Sequence, residues 1–211
     1  MLDVRSPRTL LDVAWPDGAQ ARRLTTAAAV LFGVCLLTLS AKVQVPFWPV
    51  PMTMQSLVVI MLGMAYGSRL AVATVCAYLL AGAAGLPVFA GTPARGIGLA
   101  YMMGPTAGFL VGFVLAAWLV GFLAERGWDR TFLKCAAVMV LGHLAISLSG
   151  VVWLAILMGT TKAIDVGLTP FLASSALKTA LGAACMPVIW RILARKSATQ
   201  EWRYPSGAGL V

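Results

Sequence analysis

The chain has 211 residues, of which 60% are hydrophobic and 11% are charged, and its mean hydropathy is +0.89. This composition excludes an ordinary soluble domain, and because apolar runs recur along nearly the whole chain, it also excludes one anchor on a soluble body. The net charge of +9 does not indicate nucleic-acid binding, because the basic residues punctuate the apolar runs instead of clustering on one surface. We therefore expect an integral membrane protein that binds lipid and no nucleic acid.

The chain begins with a polar segment, 1–23, which carries four arginines and three aspartates and is predicted to be cytoplasmic, not a cleaved signal. Six apolar segments follow, and each is predicted to be a transmembrane helix. Their predicted bounds are 24–41, 52–67, 70–86, 105–124, 134–157 and 170–193. Only "GSRL" separates the second segment from the third. The sequence thus predicts an all-α fold with a six-helix membrane domain over 24–193, followed by a cytoplasmic tail at 194–211.

Lysines and arginines predict how the helices are oriented in the membrane. Most of the 16 basic residues lie on the side of both chain termini, whereas Lys42, Arg95 and Lys162 lie on the opposite side. Cytoplasmic loops carry the excess of basic residues, so both termini are predicted to be cytoplasmic. Small residues at helical spacing, such as Gly108 and Gly112 in the fourth segment, predict close packing of the helices.

The first outward loop, 42–55, reads "KVQVPFWPVPMTMQ". Its three prolines exclude a helix throughout and predict an extended path. Phe47 and Trp48 fit either an interfacial aromatic belt or a stiff flap over an outer cavity. Gln55 follows just inside the second segment.

The third loop, 85–105, reads "GLPVFAGTPARGIGLAYMMGP" and is long and rich in glycine. Irregular backbone of this kind would be costly in lipid, so we expect it to line protein or water. Arg95 is either a solvated loop residue or a ligand for an anion, since its guanidinium suits bidentate carboxylate recognition. Tyr101 lies in the same loop.

Lys178 lies within the last segment, at a depth where a lysine is costly. It either snorkels to the interface or faces an outward-open cavity. His143, the only histidine, lies mid-way along the fifth segment, where it is a hydrogen-bonded structural residue, a substrate contact or a proton relay. The basic outward half indicates a site for a small anion with an apolar body, such as a carboxylate on a ring or chain.

Motifs for chemistry and for energy supply are absent from the sequence. It contains no GxxxxGK[ST], GxSxG or HExxH, and the four cysteines form no metal-binding or disulfide pattern. We therefore predict no enzyme activity, no catalytic residue, no metal and no cofactor. A rival interpretation from another class is an intramembrane hydrolase that uses Ser147 or Ser149 with His143, although it lacks a nucleophile motif.

Three stretches, "VPFWPVPMTMQSLVV", "YLLAGAAGLPVFAGTPARGIGLAYMMGPTAGFLVGF" and "PFLASSALK", resemble the BioY family. The resemblance implies the fold of a substrate-specific (S) component of an energy-coupling-factor (ECF) transporter, which binds biotin near the outer face with the first loop as a gate. It implies a transmembrane coupling protein and two ATPase subunits as partners, in the plasma membrane of a prokaryote. Some family members are thought to work without such a module, and a homo-oligomer is a further option.

The resemblance also assigns roles to particular residues. In this family the small-residue stripe of the first helix meets the coupling protein, and the matching positions are Ala29 and Gly33. The lysine of the last helix matches Lys178, but the acid usually found three residues before it is Ser175. Phe109 stands where the family has a tyrosine.

We thus predict biotin uptake, with an S component for another carboxylated vitamin as the alternative. The predicted substrate-binding residues are Phe47, Trp48, Gln55, Arg95, Tyr101, His143, Ser175 and Lys178. Arg95 or Lys178 would bind the carboxylate, and Gln55, Tyr101 and Ser175 would supply hydrogen bonds. The aromatic pair of the first loop would cover the ring.

Overall fold

The computed structural model of the chain describes residues 9–13, 18–46 and 48–203, and it is dominated by helices. The elements are α1 (Leu10–Val13), α2 (Ala19–Lys42), β1 (Gln44–Val45), β2 (Met52–Thr53), α3 (Gln55–Ala83), α4 (Gly98–Met102), α5 (Ala107–Ala124), α6 (Phe132–Met158), α7 (Thr160–Gly167) and α8 (Thr169–Arg203). Within this described part, five helices are long and apolar enough to cross a membrane. The all-α prediction is confirmed, with one short hairpin added.

Helix α3 is two antiparallel arms, 55–66 and 68–83. Gly67 between them has φ 75° and ψ 172°, a backbone conformation that glycine adopts without steric cost. Gln55 Nε2 lies 2.7 Å from Tyr78 Oη, whereas 23 residues of straight helix would separate them by about 35 Å. The chain therefore reverses at Gly67, and the second and third predicted segments are separate helices.

A carboxylate at the C-terminal end of α5 stabilises this reversal. Glu125 Oε1 accepts hydrogen bonds from the Ser68 backbone N–H at 2.7 Å and from Ser68 Oγ at 2.8 Å. An acceptor at the first N–H groups of a helix satisfies donors that the helix itself cannot pair. The start of the second arm is thus tied to the end of α5.

The predicted glycine stripe lies between α5 and α6. A Cβ atom on Gly108 would come within 2.5 Å of Ser149 O, and one on Gly112 within 2.8 Å of Ile146 Cα. The two helix backbones approach more closely than any side chain would allow, as the spacing predicted. Phe109, Leu110 and Phe113 beside these glycines are also buried, whereas Val111 is exposed.

The first and third loops pack against this helical frame. The first loop forms a short antiparallel hairpin that pairs Gln44 with Thr53 and Val45 with Met52, so the predicted extended path is confirmed at these paired residues. The third loop inserts Phe89, which is fully buried, into the core. The loops thus cover one end of the bundle instead of extending freely.

Helix α8 is longer than predicted. It continues to Arg203, so 194–203, which was assigned to the C-terminal tail, is helical. Helices α4 and α7 were not predicted, since each is short and lies in a loop. Residues 1–8, 14–17 and 204–211 of the predicted cytoplasmic segments lie outside the described residues.

Candidate functional site

A cavity, here called the inner cavity, lies among α3, α5, α6 and α8 and is bordered by the first and third loops. It is narrow, since the space in which the centre of a water molecule could move is about 60 Å³. Phe109, Phe113 and Phe171 supply much of its apolar wall. Its polar wall includes five predicted site residues, which are Gln55, Tyr101, His143, Ser175 and Lys178.

Lys178 is buried in this wall, with 5% of its surface exposed. Its Nζ donates hydrogen bonds to Thr53 O at 2.7 Å and to Ser56 Oγ at 3.0 Å. The lysine therefore faces the cavity and the start of α3, and the snorkelling interpretation is wrong. Within the described chain, no carboxylate lines the inner cavity, so an ammonium group has no acidic neighbour in the wall.

His143 lines the same cavity from α6, and 6% of it is exposed. Its Nδ1 lies 2.9 Å from Met139 O and 3.5 Å from Thr179 Oγ1, so the ring is held beside α8. Ser175 precedes Thr179 by one helical turn and lines the cavity as well. The structure thus brings His143, Ser175 and Lys178 into one wall, although the sequence separates the histidine from the others.

Gln55 has a structural role in addition to its place in the wall. Its Nε2 donates to Tyr78 Oη at 2.7 Å, and it lies 3.4 Å from Leu37 O. Tyr78 Oη donates in turn to Val88 O at 3.2 Å. The amide therefore links α2, both arms of α3 and the third loop, and its N–H groups are already used.

Packed aromatic rings connect Tyr78 to the wall of the inner cavity. Phe89 packs edge-on to Tyr78, with ring centroids 5.5 Å apart, and stacks on Tyr101 at 4.7 Å. Burial raises the pKa of the Tyr101 phenol, which is partly opposed by a hydrogen bond with Thr106 and by the nearby Arg95 charge. Tyr101 is therefore a neutral hydroxyl group at neutral pH.

Arg95 and Trp48 meet at a second cavity, here called the outer cavity, whose volume is about 360 Å³. Arg95 Nη1 donates to Pro49 O at 3.0 Å, and the guanidinium carbon lies 5.8 Å from the centroid of the Trp48 ring. Arg95 thus joins the two loops and is not part of the inner cavity wall. Tyr101 and Thr106 line both cavities and separate them.

The predicted site residue Phe47 lies outside the described residues. The exposed indole of Trp48 is at the outer cavity, which agrees with a flap of the first loop over a cavity. Its role in covering a ligand ring stays a prediction.

Lys42 joins α2 to the third loop, a contact that the sequence did not predict. Its Nζ donates to Pro87 O at 2.7 Å, Phe89 O at 3.0 Å and Thr92 Oγ1 at 3.0 Å. Its place on the predicted outward side, against the positive-inside bias, was the signal available in the sequence.

The two small residues predicted to meet a partner are packed inside this chain. Ala29 O accepts a hydrogen bond from Tyr66 Oη at 2.9 Å, and a Cβ atom on Gly33 would lie 2.5 Å from Thr74 Cγ2. Both residues therefore allow α2 to approach the two arms of α3. A partner contact through the same residues stays a prediction.

Comparison with known proteins identifies the family. The family model described as "BioY family" matches residues 13–195. The chain belongs to the BioY family. Family members similar to this chain include the biotin transporter BioY of Rhizobium etli, 36% identical over 171 residues, which are 77% of this chain and 89% of the relative. The biotin transporter BioY of Thermotoga maritima is 33% identical over 148 residues, 70% of this chain and 85% of the relative.

A solved structure supports the fold of this family member. The S-component for biotin from an ECF-type ABC transporter has a TM-score of 0.71 with this chain at 20% identity. The similarity covers 82% of this chain and 95% of that one. The chain therefore has the S-component fold and is a membrane transporter component by family.

Proposed function

We propose that this chain binds biotin in the inner cavity and serves its uptake as the substrate-specific component of an ECF transporter. The observation that carries the proposal is the buried ammonium of Lys178 in a cavity wall without a carboxylate. Burying a charge costs folding free energy unless an opposite charge or hydrogen-bond partners compensate for the lost water. The names of the similar proteins supply biotin as the ligand.

The ammonium group of Lys178 has a hydrogen-bond donor available for a ligand. An ammonium group has three N–H donors, and two of them meet Thr53 O and Ser56 Oγ. The third donor can bind an oxygen of biotin, either of its carboxylate or of its ureido carbonyl. Both choices place a polar oxygen beside the charge and reduce the cost of its burial.

The apolar wall fits the rest of the molecule. Phe109, Phe113 and Phe171 border the cavity and offer ring surfaces to the fused rings and the aliphatic chain of biotin. Tyr101 and Ser175 add hydroxyl groups that both donate and accept. One charged contact with a few hydrogen bonds in an apolar pocket is the usual composition of a small-molecule site.

Residues of the first and third loops border the cavity, so movement of these loops would widen its entrance. Arg95 holds the first loop to the third through Pro49 O, and Lys42 holds the third loop to α2. Opening the first loop would break the Arg95 contact and expose Tyr101 and the cavity behind it. We propose this movement as the gate for biotin.

The energy for uptake would come from partners. The sequence contains no nucleotide-binding motif, so a transmembrane coupling protein and ATPase subunits would supply it. Ala29 and Gly33 are the proposed partner contact, together with the exposed side of α2. Both termini are proposed to be cytoplasmic, because the basic residues lie mostly on their side.

The proposal is tested by uptake of labelled biotin in bacterial cells that lack their own biotin transporter. Cells that express the chain with an ECF module should accumulate biotin, and Lys178→Met should abolish the accumulation. Lys162→Met is the matched control, because Lys162 is an exposed lysine on α7. Equal uptake by wild type and Lys178→Met, at equal membrane amounts, would contradict the proposal. Uptake that appears only with Ser175→Asp would instead favour another carboxylated vitamin as the natural substrate.

A further inference from the structure

A groove between α6 and α8, here called the α6–α8 groove, opens on the surface of the helix bundle and has a volume of about 490 Å³. Its rims are exposed apolar side chains, such as Leu144 on α6 and Leu172 on α8, which are 46% and 59% exposed. Both helices belong to segments that are apolar enough to cross a membrane. Exposed apolar side chains at that depth meet lipid, so the groove faces the hydrocarbon of the bilayer.

The groove follows one face of each helix over several turns. On α6 it runs from Phe132 to Ser147, a rise of about 22 Å along the helix. On α8 it runs from Phe171 to Ala183, a rise of about 18 Å. One leaflet of a bilayer has a hydrocarbon depth of about 15 Å, so the groove is long enough for an acyl chain that starts at one membrane surface.

The groove is narrow for its length. Its volume spread over the length on α6 corresponds to a cross-section of roughly 20 Å². A slot of this section admits a hydrocarbon chain, whereas a helix with its side chains is about 10–12 Å across and is too wide to enter. A lipid chain therefore fits the groove better than a helix from a second copy of the protein.

Basic side chains lie at the end of the groove that begins at Phe132. Trp190 stands on the groove face of α8, two helical turns after Ala183. Arg130 stacks on the Trp190 ring, with 4.8 Å between its guanidinium carbon and the ring centroid. Arg130 and Arg191 are both exposed. A tryptophan beside exposed arginines is typical of the level of the lipid headgroups.

A carboxyl at this end of the groove is withdrawn from solvent. Asp129 is fully buried, and its Oδ2 accepts a hydrogen bond from Trp190 Nε1 at 2.6 Å. Burial raises the pKa of this carboxyl, although the indole N–H and the charge of Arg130 partly oppose the shift. The hydrogen bond holds Trp190 in place, and the exposed arginines make this end of the groove positive.

We propose that the α6–α8 groove binds an acyl chain of an anionic phospholipid, whose phosphate lies at Arg130 and Arg191 beside Trp190. Guanidinium groups bind phosphate oxygens in a bidentate geometry, and basic sites between transmembrane helices bind anionic headgroups. A second copy of the protein would have the same orientation in the membrane and would bring its own basic end to this one, which the like charges oppose.

The bound chain would lie behind the wall of the inner cavity. Four residues line both the groove and that cavity, which are His143, Ser147, Phe171 and Ser175. The lipid site and the proposed biotin site are thus neighbours, but the inference does not depend on biotin as the ligand.

The test measures lipid binding to the full-length protein by native mass spectrometry. The probes are phosphatidylglycerol, which is anionic, and phosphatidylcholine, which is zwitterionic, both with the same oleoyl chains. Ala180→Phe fills the groove. Ala184→Phe is its control, because Ala184 is exposed one turn further along α8 and does not line the groove.

A second pair of variants tests the headgroup site. Arg130→Gln combined with Arg191→Gln removes the basic end of the groove. Arg69→Gln combined with Arg126→Gln removes the same charge from two other exposed arginines, which are predicted to lie on the same side of the membrane. Arg126 stacks on Phe122 of α5, away from the groove.

We expect the wild type to bind phosphatidylglycerol roughly five- to tenfold more tightly than phosphatidylcholine. Ala180→Phe should weaken phosphatidylglycerol binding roughly tenfold, and Ala184→Phe should bind it as the wild type does. The variant at Arg130 and Arg191 should bind the two lipids to within about twofold of each other, whereas the variant at Arg69 and Arg126 should keep the preference.

Equal binding of the two lipids by the wild type would overturn the inference, and so would unchanged phosphatidylglycerol binding by Ala180→Phe. The arginine variants keep the helix packing, so the headgroup comparison stands even if Ala180→Phe fails to fold. An equal loss of preference in both arginine variants would show attraction to net charge alone and would overturn the site. A wild-type dimer that Ala180→Phe converts to monomers would assign the groove to a second copy instead.

Discussion

Gly82 determines whether the third loop can pack against α3, and Gly82→Ala should disrupt that packing. A Cβ atom at this position would lie 2.0 Å from Phe89 Cζ and 2.4 Å from Phe89 Cε2. Carbon atoms in good contact are about 3.5–4.0 Å apart, so the ring must move by about 1.5 Å. Phe89 is fully buried and stacked on Tyr101, which leaves it no free space to move into.

The expected cost follows from these contacts. Overpacking of a core typically costs about 1–3 kcal/mol, and a lost aromatic pair adds about 0.5–1.5 kcal/mol. For a chain of this size, 1–3 kcal/mol corresponds to a fall of roughly 2–12 °C in the midpoint of thermal unfolding. Because Tyr101 lines the inner cavity, biotin affinity should fall together with the midpoint.

The assay is thermal unfolding in detergent together with biotin calorimetry. Leu80→Ala is the control, since Leu80 lies on the same helix and is 69% exposed. Phe89→Leu removes the atoms that clash, so Gly82→Ala should cost less in the Phe89→Leu background than in the wild type. An unchanged midpoint and unchanged affinity in Gly82→Ala would refute this reasoning about how the loop is held.

Three further predictions address the interface of α2 with α3, the proposed gate and the loop between α5 and α6. Gly33→Ala should lower the unfolding midpoint, because its Cβ would lie 2.5 Å from Thr74 Cγ2, and Thr74→Ser should restore the midpoint by removing that methyl group. Arg95→Ala should speed the release of labelled biotin about threefold to tenfold, because a half-exposed hydrogen bond and a cation–π contact to the first loop are lost. Burial raises the pKa of Asp129 despite its hydrogen bond from an indole N–H, so ionisation of this carboxyl opposes folding. Wild type should therefore lose stability relative to Asp129→Asn as the pH rises from the ordinary carboxyl pKa of about 3.9 towards the raised one.

Each of these three has an outcome that contradicts it. If Gly33→Ala has a normal unfolding midpoint but abolishes biotin uptake, Gly33 contacts a partner protein and does not limit the packing of α2 on α3. Biotin release that is unchanged in Arg95→Ala would mean that the loops are held by other contacts. A difference in midpoint between wild type and Asp129→Asn that is constant with pH would show that the carboxyl keeps its charge state.

The helices could be predicted because each apolar run is bounded by charge, proline or glycine. The three prolines of 42–55 likewise predicted an extended first loop, and the structure has a hairpin there. The bounds of α8 were less predictable, since the polar residues after 193 continue the helix without changing its hydrogen bonding. Local sequence thus specified the segments better than their ends.

The contacts within the candidate site could not be predicted from local sequence. Lys178 meets Thr53 and Ser56, which are more than a hundred residues away, and no periodicity reports such a pairing. Depth alone suggested that the lysine is special, but not which groups it binds. The small-residue spacing of Ala29 and Gly33 likewise predicted a close approach but could not specify the partner helix, which is α3 of the same chain.

The most direct test of biotin binding at Lys178 is calorimetry of biotin with purified wild type and Lys178→Met in detergent. Methionine keeps most of the volume of lysine and removes its charge and donors. We expect nanomolar-range binding by the wild type and a loss of about a hundredfold or more in the variant, since a buried charged hydrogen bond is removed. Equal affinity of the two proteins for biotin would contradict a binding site built on this lysine.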